Sequence, residues 1–425
     1  MIRTRFFAWE EPRALAERIR AWATSGQEVR DVDAIRADVA AGGDAAVLEL
    51  TARYDATEHA PESLRVDPGE IEAALEQVEP ALRESLALAA ANVRSVAEAH
   101  VREAPGRVEL PQGQTVEIRE VPVGAAGIYA PGGRAPYPSS LLMGCIPALA
   151  AGVGRVAVAT PPGPDGNVHR ATLAAAATCG VSEVYAMGGA QAIFALADGT
   201  ESVEPVDVIA GPGSRWVQEA KRVVFGKVGI DTLAGPSELM LVAAHDTDQA
   251  WAALDLCAQG EHGSDGLLVL AAVEEAVLDA IVAAVERMAA ERETVADAPL
   301  AVVQVDDLGD AVALANWLAP EHLQLMSEDA AALAELVTTA GAVFVGPAAA
   351  TAFGDYAAGS NHILPTGGAG RFSGALTPLT FRRRIANVSL PGPAAAALAP
   401  HVETLARAEG FPVHGESAMA RRRER

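Results

Sequence analysis

Apolar positions in the first hundred residues recur at intervals of three and four. Leu15, Ile19 and Trp22 form one set, Ile35, Val39 and Val47 a second, and Ile71, Leu75, Leu82, Leu86 and Leu88 a third. A helix buries one stripe of side chains at that spacing, so residues 8–103 are expected to be helical. Asp67-Pro68-Gly69-Glu70 marks one helix start, with the aspartate as cap and the proline in the first turn, where no N–H is needed. Thr115–Val123 alternates apolar and polar residues instead, the period of a strand.

From about Ile128, short β-branched runs alternate with alanine-rich helical stretches. The runs are Arg155–Thr160, Glu183–Met187, Val206–Ala210, Leu239–Ala243, Leu267–Ala271, Ala301–Gln304 and Ala342–Val345. Helices between successive strands predict parallel sheets covered on both faces. Gly-rich turns at Pro161-Pro162-Gly163, Gly188-Gly189-Ala190, Gly211-Pro212-Gly213 and Gly235-Pro236-Ser237 are expected at the carboxyl ends of strands. Open α/β sheets hold ligands on that edge, although glycine also serves simple tight turns. From about Leu390 the chain is punctuated by Pro391, Pro393 and Pro400, and a last helix is expected near 394–408.

Length and charge narrow the class. A chain of 425 residues exceeds one ordinary core, so several domains are expected. The net charge of −24 argues against nucleic acid or an anionic membrane as partner. No signal-peptide core follows Met1, and no run of about 18 apolar residues is uninterrupted, so a soluble cytoplasmic protein is expected. Cys145, Cys179 and Cys257 are odd in number and far apart, which predicts no disulfide framework. None has a neighbouring base, so buried thiols are expected rather than a nucleophile. Lys221 and Lys227 are the only lysines.

Candidate chemistry gathers around a few polar residues. Gly152-Val-Gly-Arg-Val-Ala157 has the letters of a dinucleotide fingerprint but precedes a strand, whereas the fingerprint must follow one. Gln259 and His262 lie three apart after the apolar helix Trp251–Ala258, a spacing that suits one ion or a helix-end cap. Glu321 and His322 precede a short apolar strand and are the usual parts for proton abstraction and water activation, or else a solvated turn. Asp355 and His362 share a glycine-bracketed loop and could supply oxygen and nitrogen ligands. Glu409 and His414 lie in the tail, where such a pair is ordinarily surface decoration.

Collected in order, these strings resemble one family. Tyr129-Ala-Pro-Gly-Gly133, Gly188-Gly-Ala-Gln191, Gly211-Pro-Gly213, Glu219-Ala-Lys-Arg222, Ala234-Gly-Pro-Ser237-Glu, Ala258-Gln-Gly-Glu-His262, Ala319-Pro-Glu-His322-Leu and Gly354-Asp355-Tyr through Asn361-His-Ile-Leu-Pro-Thr366 resemble histidinol dehydrogenase. The resemblance implies oxidation of L-histidinol through the aldehyde to L-histidine with two NAD, and one zinc per subunit of a homodimer. It implies zinc ligation by Gln259, His262, Asp355 and, from the other subunit, His414. NAD contacts would come from Tyr129, Gln191 and the position of Ser214; substrate contacts from Ser237, Gln259, His262, His322, Asp355, Glu409 and His414. Glu321 and His322 would be the catalytic pair, with Glu409 also given across the interface.

The implied fold is α/β, with two Rossmann-like parallel-sheet domains. Residues 1–26 would be an N-terminal helical segment, and 27–128 with 239–380 a discontinuous domain carrying zinc and catalysis. Residues 129–238 would bind NAD, and 381–425 would be a tail domain reaching the partner. Three positions depart from the family pattern: Ser214 replaces an Asn, Gly260 an Ala, which is expected to loosen that turn, and Thr380 an acidic residue. A rival on the same scaffold would oxidise another polar alcohol, such as a dihydroxypropane sulfonate, and would need a basic residue facing it, for which Arg371 or Arg382–Arg384 are candidates.

Overall fold

Strands buried on both faces read as unbroken apolar runs, and two such sheets organise the chain. The computed structural model describes residues 2–24, 31–55, 61–101, 106–132 and 135–422. One sheet has six strands, in the order Arg3–Phe7, Pro299–Gln304, Leu267–Ala272, Glu238–Ala243, His322–Met326 and Ala342–Val345. All its pairings are parallel. Every residue of Glu238–Ala243 and Leu267–Ala272 is buried. Helices Gln249–Gly260 and Glu275–Ala290 cover one face, Pro12–Ala23 and Leu308–Leu318 the other.

The second sheet has five parallel strands, in the order Glu183–Ala186, Arg155–Thr160, Ala125–Tyr129, Val208–Ala210 and Gly229–Ile230. Helices Pro138–Ala150 and Arg170–Cys179 pack on one face, with Pro68–Gln77 and Pro80–His100 stacked against them. Asp33–Tyr54, Gly189–Asp198 and Arg215–Val224 cover the other. Asp67 does cap its helix, accepting from the Gly69 N–H at 2.7 Å.

The mixed α/β architecture with parallel sheets is the one the sequence pattern predicts. Several details differ. Residues 3–7, expected within a helical segment, form an edge strand of the larger sheet. The helices between 33 and 100, grouped above with 239–380, pack on the five-stranded half instead. Gly235-Pro236-Ser237 does not end a strand: it enters Glu238–Ala243, at that strand's amino end. Arg382–Ser389 pairs antiparallel with Thr115–Pro122, which also pairs with Arg107–Glu109. Helices Gly392–Ala408 and Pro412–Ala420 then pack on each other. Cys145 and Cys179, far apart in sequence, meet in the core, where burial and the second thiol push the Cys145 thiol well up.

Lys221 is fully buried on Arg215–Val224 and holds one turn in place. Its ammonium pairs with Asp231 and donates to the Gly211 carbonyl at 3.0 Å. Asp231 also accepts the Gly211 N–H at 2.8 Å. Gly211 has φ 127°, and a Cβ there would collide with the Tyr129 carbonyl oxygen, so the turn demands glycine. Lys221→Met leaves a buried carboxylate without its cation. The expected loss is about 3–5 kcal/mol in urea unfolding; an unchanged midpoint and slope would remove the pair from the stability account.

Candidate active site

A cavity of about 320 Å³ lies where the amino ends of the larger sheet face the carboxyl ends of the smaller. Ser237 and the pair Glu321–His322 stand at the amino ends of adjacent strands, with His322 in register with Leu239. His262 follows the helix Gln249–Gly260, which returns the chain to that edge, and Asp355 is on the short helix Thr351–Tyr356. Pro212, Gly213 and Ser214 face them from the end of Val208–Ala210. The carboxyl-edge expectation therefore holds for the smaller sheet and fails for the larger one.

One residue's backbone orients both Glu321 and His322. The Glu238 carbonyl accepts from His322 Nδ1 at 2.9 Å, and the Glu238 N–H donates to Glu321 Oε2 at 2.8 Å. A carbonyl can only accept, so Nδ1 carries the hydrogen. His322 Nε2 is left buried without a hydrogen bond, with Asp355 Oδ1 3.6 Å away. Ser237 Oγ donates to Glu321 Oε2 at 2.5 Å and accepts from the Gln259 amide. That leaves Gln259 Oε1 buried with no partner.

Burial pushes the Glu321 carboxyl up to about 7, against the pull of His322, the Ser237 hydroxyl and the Glu238 N–H. Burial also disfavours a charged His322, but Glu321, Asp355 and the Glu238 carbonyl outweigh it and raise the imidazole to about 9. Asp355 would be raised by burial, yet His322, His362 and His262 hold it below the usual carboxylate range. Burial lowers His262, despite Asp355, and so favours the neutral imidazole that a metal needs.

His362 has both ring nitrogens engaged. Nδ1 donates to the Asp355 carbonyl at 2.8 Å, and Nε2 lies 3.0 Å from Ser140 Oγ. It buttresses Asp355 and keeps no ring nitrogen free for an ion, whereas the Asp355 carboxylate faces the cavity. Among the described residues no three His, Cys, Asp or Glu side chains form a metal-holding group. The donors that could hold one are mixed: the unpartnered amide oxygen of Gln259, the His262 imidazole and the Asp355 carboxylate. Glu409, just past the end of Gly392–Ala408, and His414, on Pro412–Ala420, are exposed and line no part of this cavity. Gly260 is packed rather than loose, since a Cβ there would stand 3.1 Å from Val295 Cγ1.

A second cavity, about 560 Å³, shares Pro131 and Ser214 with the first and is lined by Tyr129, Gln191 and Asp55. The Tyr129 hydroxyl accepts from the Gly189 N–H at 3.1 Å, and Gln191 donates to Asp55 at 3.3 Å. Burial pushes Asp55 up to about 7. Asp55 follows the end of Asp33–Tyr54, and no local pattern in the sequence marks it. Ser214 begins the helix Arg215–Val224 but makes no side-chain cap, so its hydroxyl is available at the junction of the two cavities.

The family model for histidinol dehydrogenase matches residues 20–422. The chain is 46% identical to histidinol dehydrogenase of Ruegeria pomeroyi over 405 residues, covering 92% of each protein. It is 44% identical to that of Rhodospirillum rubrum over 407 residues, covering 93% of each. The crystal structure of histidinol dehydrogenase from Elizabethkingia anophelis superposes with a TM-score of 0.91 at 30% identity, covering 99% of this chain and 98% of that one. An ordered set of motifs, a shared fold over nearly the whole chain and full-length relatives agree: the chain belongs to the histidinol dehydrogenase family.

Proposed function

We propose that the chain oxidises L-histidinol through histidinaldehyde to L-histidine, using zinc and two molecules of NAD. The observation that carries this reading is the cavity itself, where a carboxyl raised to about 7 stands beside the buried, unpartnered His322 Nε2, and where Ser237 links that carboxyl to Gln259, whose Oε1 is also buried and unpartnered. Buried polar groups without partners mark places where a ligand completes the bonding.

Gln259, His262 and Asp355 would hold the zinc, with the partner subunit's His414 as fourth ligand. Bound there, zinc supplies a fixed positive charge that orients the amine and imidazole of the substrate without redox chemistry of its own. Tyr129, Gln191 and Ser214 would hold NAD in the larger cavity, where it would supply the hydride acceptor for both oxidations. Neutralised by a cation, Asp355 would no longer hold a proton on His322, which restores Nε2 as a base. His322 takes the alcohol proton and releases it to solvent, Glu321 takes a proton from the water that hydrates the aldehyde, and His322, again unprotonated at Nε2, then takes the proton of the hydrate. Ser237, Glu409 and His414 complete the substrate contacts, the last two given by the partner. All three cysteines are buried and none lines the cavity, which favours water over a thiolate for the second half.

In domain terms, residues 129–238 would carry NAD, 239–380 zinc and catalysis, and 381–425 would reach the partner of a homodimer. The exposed Glu409 and His414 suit that exchange. The packing of residues 33–100 leads us to attach them to the nucleotide half, and the strand Arg3–Phe7 ties the first residues to the catalytic half.

A sulfonate substrate needs a cation, and among the described residues no Arg or Lys lines the cavity. Arg371 is turned to the Gly368 carbonyl, Arg382 to the Ala151 and Glu120 carbonyls, and Arg384 to the Glu120 carboxylate. Removing zinc with a chelator should abolish histidinol-dependent NADH formation, and added zinc should restore it. Full activity in protein shown by elemental analysis to be metal-free would contradict the zinc assignment.

A further inference from the structure

Both acid–base residues hang from the backbone of Glu238, so whatever fixes Glu238 fixes their geometry. The Glu238 side chain is buried and held by Arg20, whose guanidinium donates to Oε1 at 2.7 Å and to Oε2 at 3.2 Å. Two parallel bonds from a planar fork to a carboxylate fix orientation as well as distance. The Gly367 N–H adds a third bond to Oε1 at 3.2 Å. The same guanidinium donates through Nε to the Leu318 carbonyl at 3.1 Å.

The position of Leu318 gives this second contact its meaning. It is the last residue of the helix Leu308–Leu318, and the chain then turns through Ala319, Pro320 and Glu321 into the strand that begins at His322. Ala319 has φ 46°, the only non-glycine residue at positive φ among the described residues. Such a conformation persists when its surroundings hold it. Arg20 grips the chain immediately before this turn, while Glu238 holds Glu321 and His322 immediately after it. One side chain thus spans both ends of the segment that delivers the pair. It comes from the helix Pro12–Ala23, is not part of the cavity lining and lies outside every motif of the sequence.

We propose that Arg20 is a positioning residue for the Glu321–His322 pair, acting through the carboxylate and backbone of Glu238 and through the Leu318 carbonyl. The inference rests on the acid–base roles proposed above. It assigns the N-terminal helix a part in catalysis without contact to substrate or nucleotide. A displacement of about 1 Å in a reacting group can lower a rate about a hundredfold, while ligands held by other residues bind as before.

The test compares Arg20→Met, Arg20→Lys and Glu238→Gln with the unaltered dimer, reading kcat, KM for L-histidinol and NAD, and bound zinc. Arg20→Met is expected to lower kcat about tenfold or more, with both KM values within about twofold and zinc content unchanged. Arg20→Lys keeps the charge but loses the fork, and should recover part of kcat. Glu238→Gln keeps the shape and weakens the ion pair, and should fall between the unaltered enzyme and Arg20→Met. Unaltered kcat in Arg20→Met would overturn the proposal. So would a loss of zinc, or of both KM values, in step with kcat in all three variants, because that pattern marks general loosening. If the unaltered protein itself fails to oxidise histidinol, the functional reading falls first, and the two failures are distinct.

Discussion

His322→Ala is expected to lower turnover of L-histidinol by about 10²–10⁴-fold, the usual contribution of a positioned acid–base group. Three features set the size of the effect. The imidazole is 3% exposed, so bulk water does not readily replace it. Nδ1 is committed to the Glu238 carbonyl, which leaves Nε2 as the nitrogen that would act as base once a cation on Asp355 releases its proton. No other imidazole there has a free nitrogen in that role, since His362 is engaged at both nitrogens and His262 is proposed for the metal. Because His322 is not among the proposed zinc ligands, the variant should retain its zinc. KM for NAD should also hold, since the larger cavity lies on the other sheet. Steady-state rates with zinc analysis check the expectation, and normal turnover would remove His322 from the base role.

Glu321→Gln should separate the two oxidations. The amide has nearly the carboxylate's shape but cannot take a proton from water, so hydration of the aldehyde should slow by about 10²–10⁴-fold while the first hydride transfer persists. The expected signature is one rapid equivalent of NADH per site, followed by slow turnover. Two equally fast equivalents would contradict the assignment.

The pH dependence follows from the same group. Burial raises the folded-state pKa of Glu321 to about 7, and only its ionised form is a base. The hydration step should therefore gain rate as pH rises through about 7 and lose it tenfold per unit below. In Glu321→Gln that limb should vanish from the slow phase.

Much of this arrangement is legible in the sequence, for stated reasons. Runs such as Leu267–Ala272 are unbroken because both faces of the sheet are covered, and the alternation with helices makes the sheets parallel. The edge strand Arg3–Phe7 is largely exposed and carries no such run. Arg382–Ser389 is mostly exposed, so only its partner Thr115–Pro122 stands out. Adjacency marked Glu321 with His322, and helical spacing marked Gln259 with His262. Of the groups that orient them, Ser237 and Glu238 lie in a quoted motif, but Arg20 left no local mark. Arg20 and Glu238 meet across 218 positions of sequence, and His362 reads as a ligand until its two hydrogen bonds are seen. Lys221 did leave a sign, as one of only two lysines in a chain whose other fixed cations are arginine. Nothing in the residues themselves marks the larger cavity as a nucleotide site; that reading comes from the ordered resemblance to the family.

The measurement that bears most directly on the account is the stoichiometry of NADH and L-histidine formed from a limiting amount of L-histidinol by the zinc-replete protein. The account predicts two NADH and one histidine for each histidinol consumed. One NADH with released aldehyde, or no reaction with histidinol while another polar alcohol is oxidised, would contradict it.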